Sequence, residues 1–561
     1  MDKYRTNIYT SSYLFVSLLY SLCALYLLPR RFSVNDNIAF VREIESNGTT
    51  TFFSPLLGKC LSMAHVHISS DVSWYGIFIY ACLIISHLLV TLTICRLNLP
   101  TIVRVIFLLS TLLLYTQFLL STGYNSASIL LAGSSVFAFI GLLNTNPKRI
   151  FLPAIILGVC LGVAYLIRSK GMYASLIFLA PTIALCLLQK RYRVIKAWSF
   201  LLLPLVVFMA LDTAYLHWGT TKEHKEFLQW NRVRGQFHGF PVMHEQRNNA
   251  ALLELNQWTE NDYTMFSNFT FFDEKLYNIP TINTILKYPK PKDSPPGKTF
   301  QKRLLGKESF SSTYYPHVIL ISLCLALFIS HFVPLKFRLC FPLYTLYFIS
   351  VIVAMAYFLR FPVYIGYPLA YVGMLNILSV GFLHSGISHS LTPIRKIMLS
   401  AVTIGFVLAG QHYSFYLIEK SYETHVGSKR LYNNFKRINA TKDTIDYAYL
   451  FPGGHGIQIQ YMDPLNICQY DLVHIPAGWP TFSPRFYQSL EKVGLEHGYE
   501  LIPSMIDNKK AVIIGSYNMS HLLLKYIEEK HQVVCQLTPM MELEGNMTVY
   551  YIVQQSEDTS L

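Results

Sequence analysis

Apolar residues along this chain come in long blocks, and the polar residues gather in three large patches between and after them. A helix rising 1.5 Å per residue needs about 20 apolar residues to cross a bilayer core of roughly 30 Å. Blocks of that size fall at 12–29, 74–95, 102–121, 125–143, 150–167, 172–189, 198–216, 316–334, 338–357, 361–383 and 396–417. The polar patches are 30–73, 217–315 and 418–561. The pattern predicts a mainly α fold, a polytopic membrane helix bundle of about 11 spans over 1–417, with an outer loop 30–73 and an outer insert 217–315. A C-terminal domain, 418–561, follows.

The period changes in that tail. Tyr447–Phe451, Leu472–Ile475, Ala511–Ile514 and Val549–Val553 are short apolar runs that predict strands. Pro484–His497 and Ser520–His531 predict helices, each with a Ser or Asn start signal nearby. The tail therefore reads as a small α/β domain. No internal repeat is evident, so a transporter built from inverted repeats gains no support.

Composition sharpens the membrane reading. Charged residues make up 14% of the chain, against about 25% in soluble proteins, so water-facing surface is short. The shortage is uneven: Phe151–Ile167 and Ile397–Leu408 hold no charge, while Lys222–Glu254 has an ordinary soluble composition. The net charge of +14 does not indicate nucleic acid, because many Lys and Arg sit in short connections between apolar blocks. With the N-terminus cytoplasmic, the inner connections hold Lys3 and Arg5, Arg96 and Arg104, Lys148 and Arg149, Lys190, Arg191, Arg193 and Lys196, Lys336 and Arg338, and Arg395 and Lys396. That is the positive-inside pattern, and an odd number of spans then puts both inserts and the tail on the outer face. The run Tyr13–Leu28 ends in Pro29-Arg30-Arg31 rather than a cleavage site, and reads as a retained first helix. Most cysteines lie in the apolar blocks as small hydrophobes, while Cys468 and Cys535 in the tail either pair or stay apart. The spacing of Cys and His suggests no metal site.

Candidate chemistry concentrates in the polar patches. Arg30-Arg31-Phe32-Ser33-Val34-Asn35-Asp36-Asn37 follows the first span. An acid at the water–lipid boundary suits a general base for a sugar hydroxyl, although Asp between two Asn also suits a helix cap or turn. Phe52–Met63 is apolar but too short to span, and reads as an interfacial helix or one packed on the bundle. Arg31, Arg168, Lys170 and Arg360 fall on the outer side, against the orientation bias. Phosphate binding is one reason for basic residues there, and snorkelling to headgroups is the other. In the insert, Trp230-Asn231-Arg232-Val233-Arg234-Gly235-Gln236-Phe237-His238, Trp258-Thr259-Glu260-Asn261-Asp262-Tyr263 and Phe271-Phe272-Asp273-Glu274 mix aromatics with polar groups, which suits sugar rings and hydroxyls as well as an ordinary folded surface. Asp212, near the outer end of 198–216, is a buried-acid candidate.

Taken together, Arg31-Phe32, Asn35-Asp36-Asn37, Pro55-Leu56-Leu57-Gly58, Leu61-Ser62 and Trp74-Tyr75-Gly76 resemble the GT-C class of polytopic glycosyltransferases. The resemblance is to the bacterial branch of surface-polysaccharide glucosyltransferases, and covers the first outer loop and its flanking spans. Weaker matches are Gln117-Phe118, Asn231 and Arg234, Glu260-Asn261-Asp262, and Arg360 with Tyr367-Pro368. The family's Asn-Asp-Asp reads Asn35-Asp36-Asn37 here, so its second acid is missing.

The resemblance implies inverting transfer of a hexose such as glucose from a polyprenyl-phosphate carrier to a surface glycan or lipid-linked acceptor. Asp36 would take the acceptor proton. Arg168, Lys170, Arg360 and Arg31 would hold the donor phosphate. Asn35, Asn37, Asn231, Arg234 and Asp262 would bind the acceptor or sugar. The implied partners are the lipid-linked donor, the glycan acceptor and membrane lipids, with no nucleic acid. No cofactor is implied, and a divalent metal is neither required nor indicated. The implied location is a bacterial inner membrane with the C-terminal domain outside. The competing classes are a transporter or flippase of lipid-linked sugars, a polymerase or ligase, and an inactive scaffold. The nearly charge-free central spans count against the transporter.

Overall fold

In a computed structural model of the chain, the described residues are 2–34, 36–46, 50, 52–96, 101–145, 150–188, 192–239, 249–288, 340–358, 363–383, 393–441, 443–450, 459–467, 473–506, 508 and 510–555. The predicted span 316–334 lies outside them, as do Asn35, Arg360 and Cys468. The chain folds as two compact units.

The first unit comprises Met1–Val34, Phe52–Trp218 and Pro296–Thr424, and it is helical. Its elements are α1 (Asp2–Leu27), β1 (Arg31–Phe32), and, after α2 (Asp36–Ser46) of the other unit, α3 (Pro55–His67), α4 (Trp74–Cys95), α5 (Thr101–Leu120), β2 (Ser121–Thr122), α6 (Tyr124–Thr145), α7 (Phe151–Leu188) and α8 (Tyr192–Ala214). Among the described residues, five helical stretches are long and apolar enough to cross a membrane: Thr10–Leu27, Trp74–Cys95, Tyr124–Leu143, Phe151–Leu187 and Val194–Gly219. Their outer faces explain the composition. Leu202, Leu203, Val206, Val207 and Leu211 of α8 are exposed, an apolar stripe that water disfavours and lipid accepts.

α6 is the centre of this unit, with 89% of its span buried. Its small residues allow close approach, as membrane helix packing requires. A Cβ on Gly133 would stand 2.5 Å from the Val372 side chain. Ser175 donates to the Ile129 carbonyl at 2.8 Å and Ser128 to that of Ala164 at 2.9 Å, so polar side chains bond between helices rather than face lipid. The predicted segments 150–167 and 172–189 form one helical run, α7, broken at a single extended residue, Arg168 (φ −163°, ψ 98°).

The second unit comprises Asn35–Thr51, Gly219–Pro295 and His425–Leu561. The tail predicted to stand alone thus folds together with the insert and with part of the first outer loop. Its helices include α2 (Asp36–Ser46), α9 (Lys222–Gly239), α10 (Ala250–Leu255), α11 (Glu260–Ser267) and α12 (Ile279–Lys287). Further along the chain, α13 (Cys340–Phe358) and α14 (Val363–Leu383) belong to the first unit, and α15 (Pro393–Asn439) has residues in both. β3 (Tyr447–Leu450), β4 (Val473–Pro476), α16 (Pro484–Glu491), α17 (Leu501–Met505), β5 (Ala511–Gly515), α18 (Tyr517–His531), β6 (Cys535–Leu543) and β7 (Met547–Gln554) complete the second unit.

Its sheet runs in the order β4-β3-β5-β7-β6. β4, β3 and β5 are parallel, and β7 and β6 pair antiparallel. β5 is buried at every residue, as a central parallel strand is. The core under the sheet is aromatic. Trp230, Trp258, Phe271 and Phe272 of the insert are at most 6% exposed and pack within it, so their rings offer no face to a sugar.

Candidate active site

Asp36 is the first residue of α2 and is half-buried. A carboxylate there meets the partial positive charge of the helix N-terminus. α2 is amphipathic, with Ile38, Phe40, Val41 and Ile44 buried, and Phe40 packs on Trp479 with ring centroids 5.6 Å apart. That packing fixes the start of the helix. Asn37 is fully buried.

Asp36 acts electrostatically on Arg234 of α9, within the same unit. Arg234 is only 4% exposed. Burial pushes its guanidinium down to about 10, and the negative charge of Asp36 opposes that shift. Asn231 lies three residues earlier, on the same helix face. Its Oδ1 accepts from Arg234 Nε at 3.1 Å and also from Nη2. The guanidinium carbon lies 5.7 Å from the centre of the Phe269 ring. Asp36, Asn231 and Arg234 are therefore brought together.

Asp262 lies in the same unit but is committed elsewhere. It is the third residue of α11 and closes a capping box with Thr259. Its Oδ2 accepts from the Thr259 N–H at 2.7 Å and pairs with Lys530 Nζ at 2.7 Å. The side chain has no exposed surface, so an acceptor could not reach it without displacing these contacts.

The basic residues proposed for phosphate belong to the first unit. Arg168 donates from Nη1 to the Phe52 carbonyl at 3.1 Å, and its guanidinium lies 5.3 Å from the Phe52 ring and 5.4 Å from that of Tyr124. Lys170 is exposed two residues on. Arg31 pairs at 3.9 Å with Glu423 and sits in a parallel bridge with Ser121. Phe32 beside it is buried against Tyr75, ring centroids 6.0 Å apart, so two of the motif pieces meet. The Ser54 hydroxyl caps α3 by accepting from the Leu57 N–H at 3.3 Å and donates to Asp212. Asp212 also accepts from the Leu56 backbone. The buried-acid candidate thus anchors the N-terminus of α3.

Sequence reasoning put His238 in one run with Arg234 without placing it against the guanidinium's partners, and missed Phe269. Phe269 follows α11 in a loop with φ +60°, and nothing in its composition signals that. His238, by contrast, lies four residues after Arg234, a helical spacing that was there to be read. Among the described residues, no group of three or more His, Cys, Asp and Glu is placed to hold a metal ion. No family model, no curated protein and no solved structure matches the chain.

Proposed function

We propose that this chain is a membrane glycosyltransferase working on the non-cytoplasmic face of a bacterial inner membrane. It spans the membrane about 11 times, with the N-terminus inside and the second unit outside. It moves a hexose from a polyprenyl-phosphate carrier to a surface glycan or lipid-linked acceptor, with inversion. The observation that carries this reading is the juxtaposition of Asp36, at the start of α2, with the buried Arg234–Asn231 pair. A carboxyl group half-open to solvent beside a fixed cation suits a general base.

The acceptor hydroxyl attacks the anomeric carbon as the bond from that carbon to the phosphate oxygen breaks. The hydroxyl proton passes to Asp36, and the electron pair leaves with the lipid phosphate. Cationic groups near that phosphate stabilise the charge it gains. Arg168, Lys170, Arg360 and Arg31 are the proposed donor ligands. Arg168 retains guanidinium N–H groups beyond the one that bonds to Phe52. Asn35 is assigned to the sugar or acceptor, and the buried Asn37, Asn231 and Arg234 to holding that site from behind, through Asp36. The test is transfer from polyprenyl-phosphate glucose to extracted surface glycan, with native protein and Asp36→Ala side by side. Transfer is expected with native protein and is lost in the variant. No transfer by native protein from any of several lipid-linked hexoses would reject the reading.

A further inference from the structure

His238 sits in the last turn of α9 and is buried. Its Nδ1 lies 3.1 Å from the Arg234 carbonyl oxygen, one turn earlier. Its Nε2 lies 2.8 Å from the Phe266 carbonyl oxygen in α11. Carbonyl oxygens accept and cannot donate. A neutral imidazole carries one N–H and can serve one of these oxygens, which leaves a lone pair facing a lone pair at the other. The imidazolium donates to both.

One face of the ring has an aromatic partner. The His238 ring stacks on Phe269 at 4.2 Å and 29°. The same Phe269 ring lies 5.7 Å from the Arg234 guanidinium carbon. Phe269 holds φ +60°, a left-handed conformation that a non-glycine residue keeps only when its contacts enforce it. Among the described residues, the charged groups here include Arg234, on α9 itself, and Asp36 of α2, which acts on Arg234. α11 presents the Phe266 carbonyl and ring, and the loop after it presents the rings of Phe269 and Phe271.

We propose that His238 is a positioning residue for Arg234 and is carried as an imidazolium. Its two N–H bonds tie the end of α9 to the 266–269 segment and hold Phe269 against both cations. With Phe269 fixed, the guanidinium keeps its fork on Asn231 and its place in the field of Asp36. The consequence for acceptor binding rests on the transferase reading, whereas the charge state and the tie do not.

Solid-state 15N NMR of the full-length, histidine-labelled protein in lipid tests the charge state, with His238→Gln assigning the signal. At about pH 7.5, above the ordinary histidine value of about 6.5, both His238 nitrogens are expected to be protonated. One protonated and one bare nitrogen at that pH would overturn the proposal. If His238→Gln does not fold, Phe269→Leu identifies the same resonance by removing the ring against it. Hydrogen–deuterium exchange tests the tie: protection of 264–270 should fall about tenfold in a variant at 238, the equivalent of one lost hydrogen bond. Unchanged protection would overturn the positioning role. In the transfer assay, His238→Gln should raise acceptor KM more than it lowers kcat, and an unchanged KM would break the link to acceptor binding. Failure of native protein to transfer sugar would reject the transferase reading alone, with the NMR and exchange results still deciding this one.

Discussion

Replacing Lys530 with methionine would leave a buried carboxylate without its counter-ion. Asp262 has no exposed surface, and its Oδ2 is shared between Lys530 Nζ and the Thr259 N–H, each at 2.7 Å. Its Oδ1 meets no hydrogen-bond partner among the described residues. Burial pushes the Asp262 carboxyl up, and its bond to Lys530 is the foremost opposing influence. Breaking a buried ion pair costs about 3–5 kcal/mol. The Lys530 side chain is 24% exposed, so the low end, about 3 kcal/mol, applies. In a unit of this size that lowers Tm by roughly 6–12 °C.

The pH dependence has a definite sign. A carboxyl whose folded pKa lies above its unfolded value favours the fold when protonated, and that contribution is lost as pH rises from the unfolded value to the folded one. Lys530→Met raises the folded value further. The variant's deficit is therefore largest at neutral pH and shrinks as pH falls toward about 4, where aspartate takes up its proton even when unfolded. Thermal unfolding of native and variant protein from about pH 5 to pH 8, followed by tryptophan fluorescence, measures this. Asp262→Asn in the same chain should restore most of the loss, because a neutral side chain no longer needs the ammonium. A deficit below about 1 kcal/mol, or one that does not change with pH, would refute the reasoning.

Three further outcomes follow from local geometry and sidedness. Gly498→Ala puts a Cβ 1.8 Å from the Phe272 carbonyl oxygen, which is backbone and cannot swing away, so thermal unfolding should show a loss of about 3 kcal/mol or more. Ser54→Ala removes the cap of α3 and the hydroxyl that reaches Asp212, and should cost about 1 kcal/mol, read as earlier proteolysis after residue 54. A cysteine at Lys429, which is exposed, should react with an impermeant thiol reagent from the outer face of intact cells in a cysteine-poor background. Protection there with labelling only after permeabilisation would reverse the orientation.

The elements were largely legible, and their association was not. Apolar blocks announced α4, α6 and α8 because a span needs length and little else. β3, β5 and β7 were visible as apolar runs, since a central strand buries both faces, and β4, at one edge, as a short run beside them. β6 escaped because Gln536-Leu537-Thr538-Pro539-Met540-Met541 has neither a clean alternation nor an apolar run, and as an edge strand it tolerates a proline and a bulge. α2 was foreshadowed only by Asp36 as a cap candidate, because 11 residues with Ile38, Phe40, Val41 and Ile44 apolar are too short a stretch for a periodic signal to stand out. The gathering of 35–51, 219–295 and 425–561 into one unit depends on packing between segments far apart in sequence, which local periodicity does not encode. The same limit applied to the candidate site. The Asn231–Arg234 spacing could be read, but their nearness to Asp36 could not. Asp262 reads in the sequence as an acceptor ligand, and neither its capping box with Thr259 nor its pairing with Lys530 was seen there.

The central claim is that Asp36 takes the acceptor proton. Its most direct measurement is the single-turnover rate of sugar transfer by Asp36→Asn, with donor binding determined separately on the same preparation. Loss of a positioned general base predicts a rate at least about 100-fold below native. Donor affinity should stay nearly unchanged, because the proposed phosphate ligands are untouched. Transfer at a near-native rate by Asp36→Asn, with the donor bound as tightly, would contradict the account.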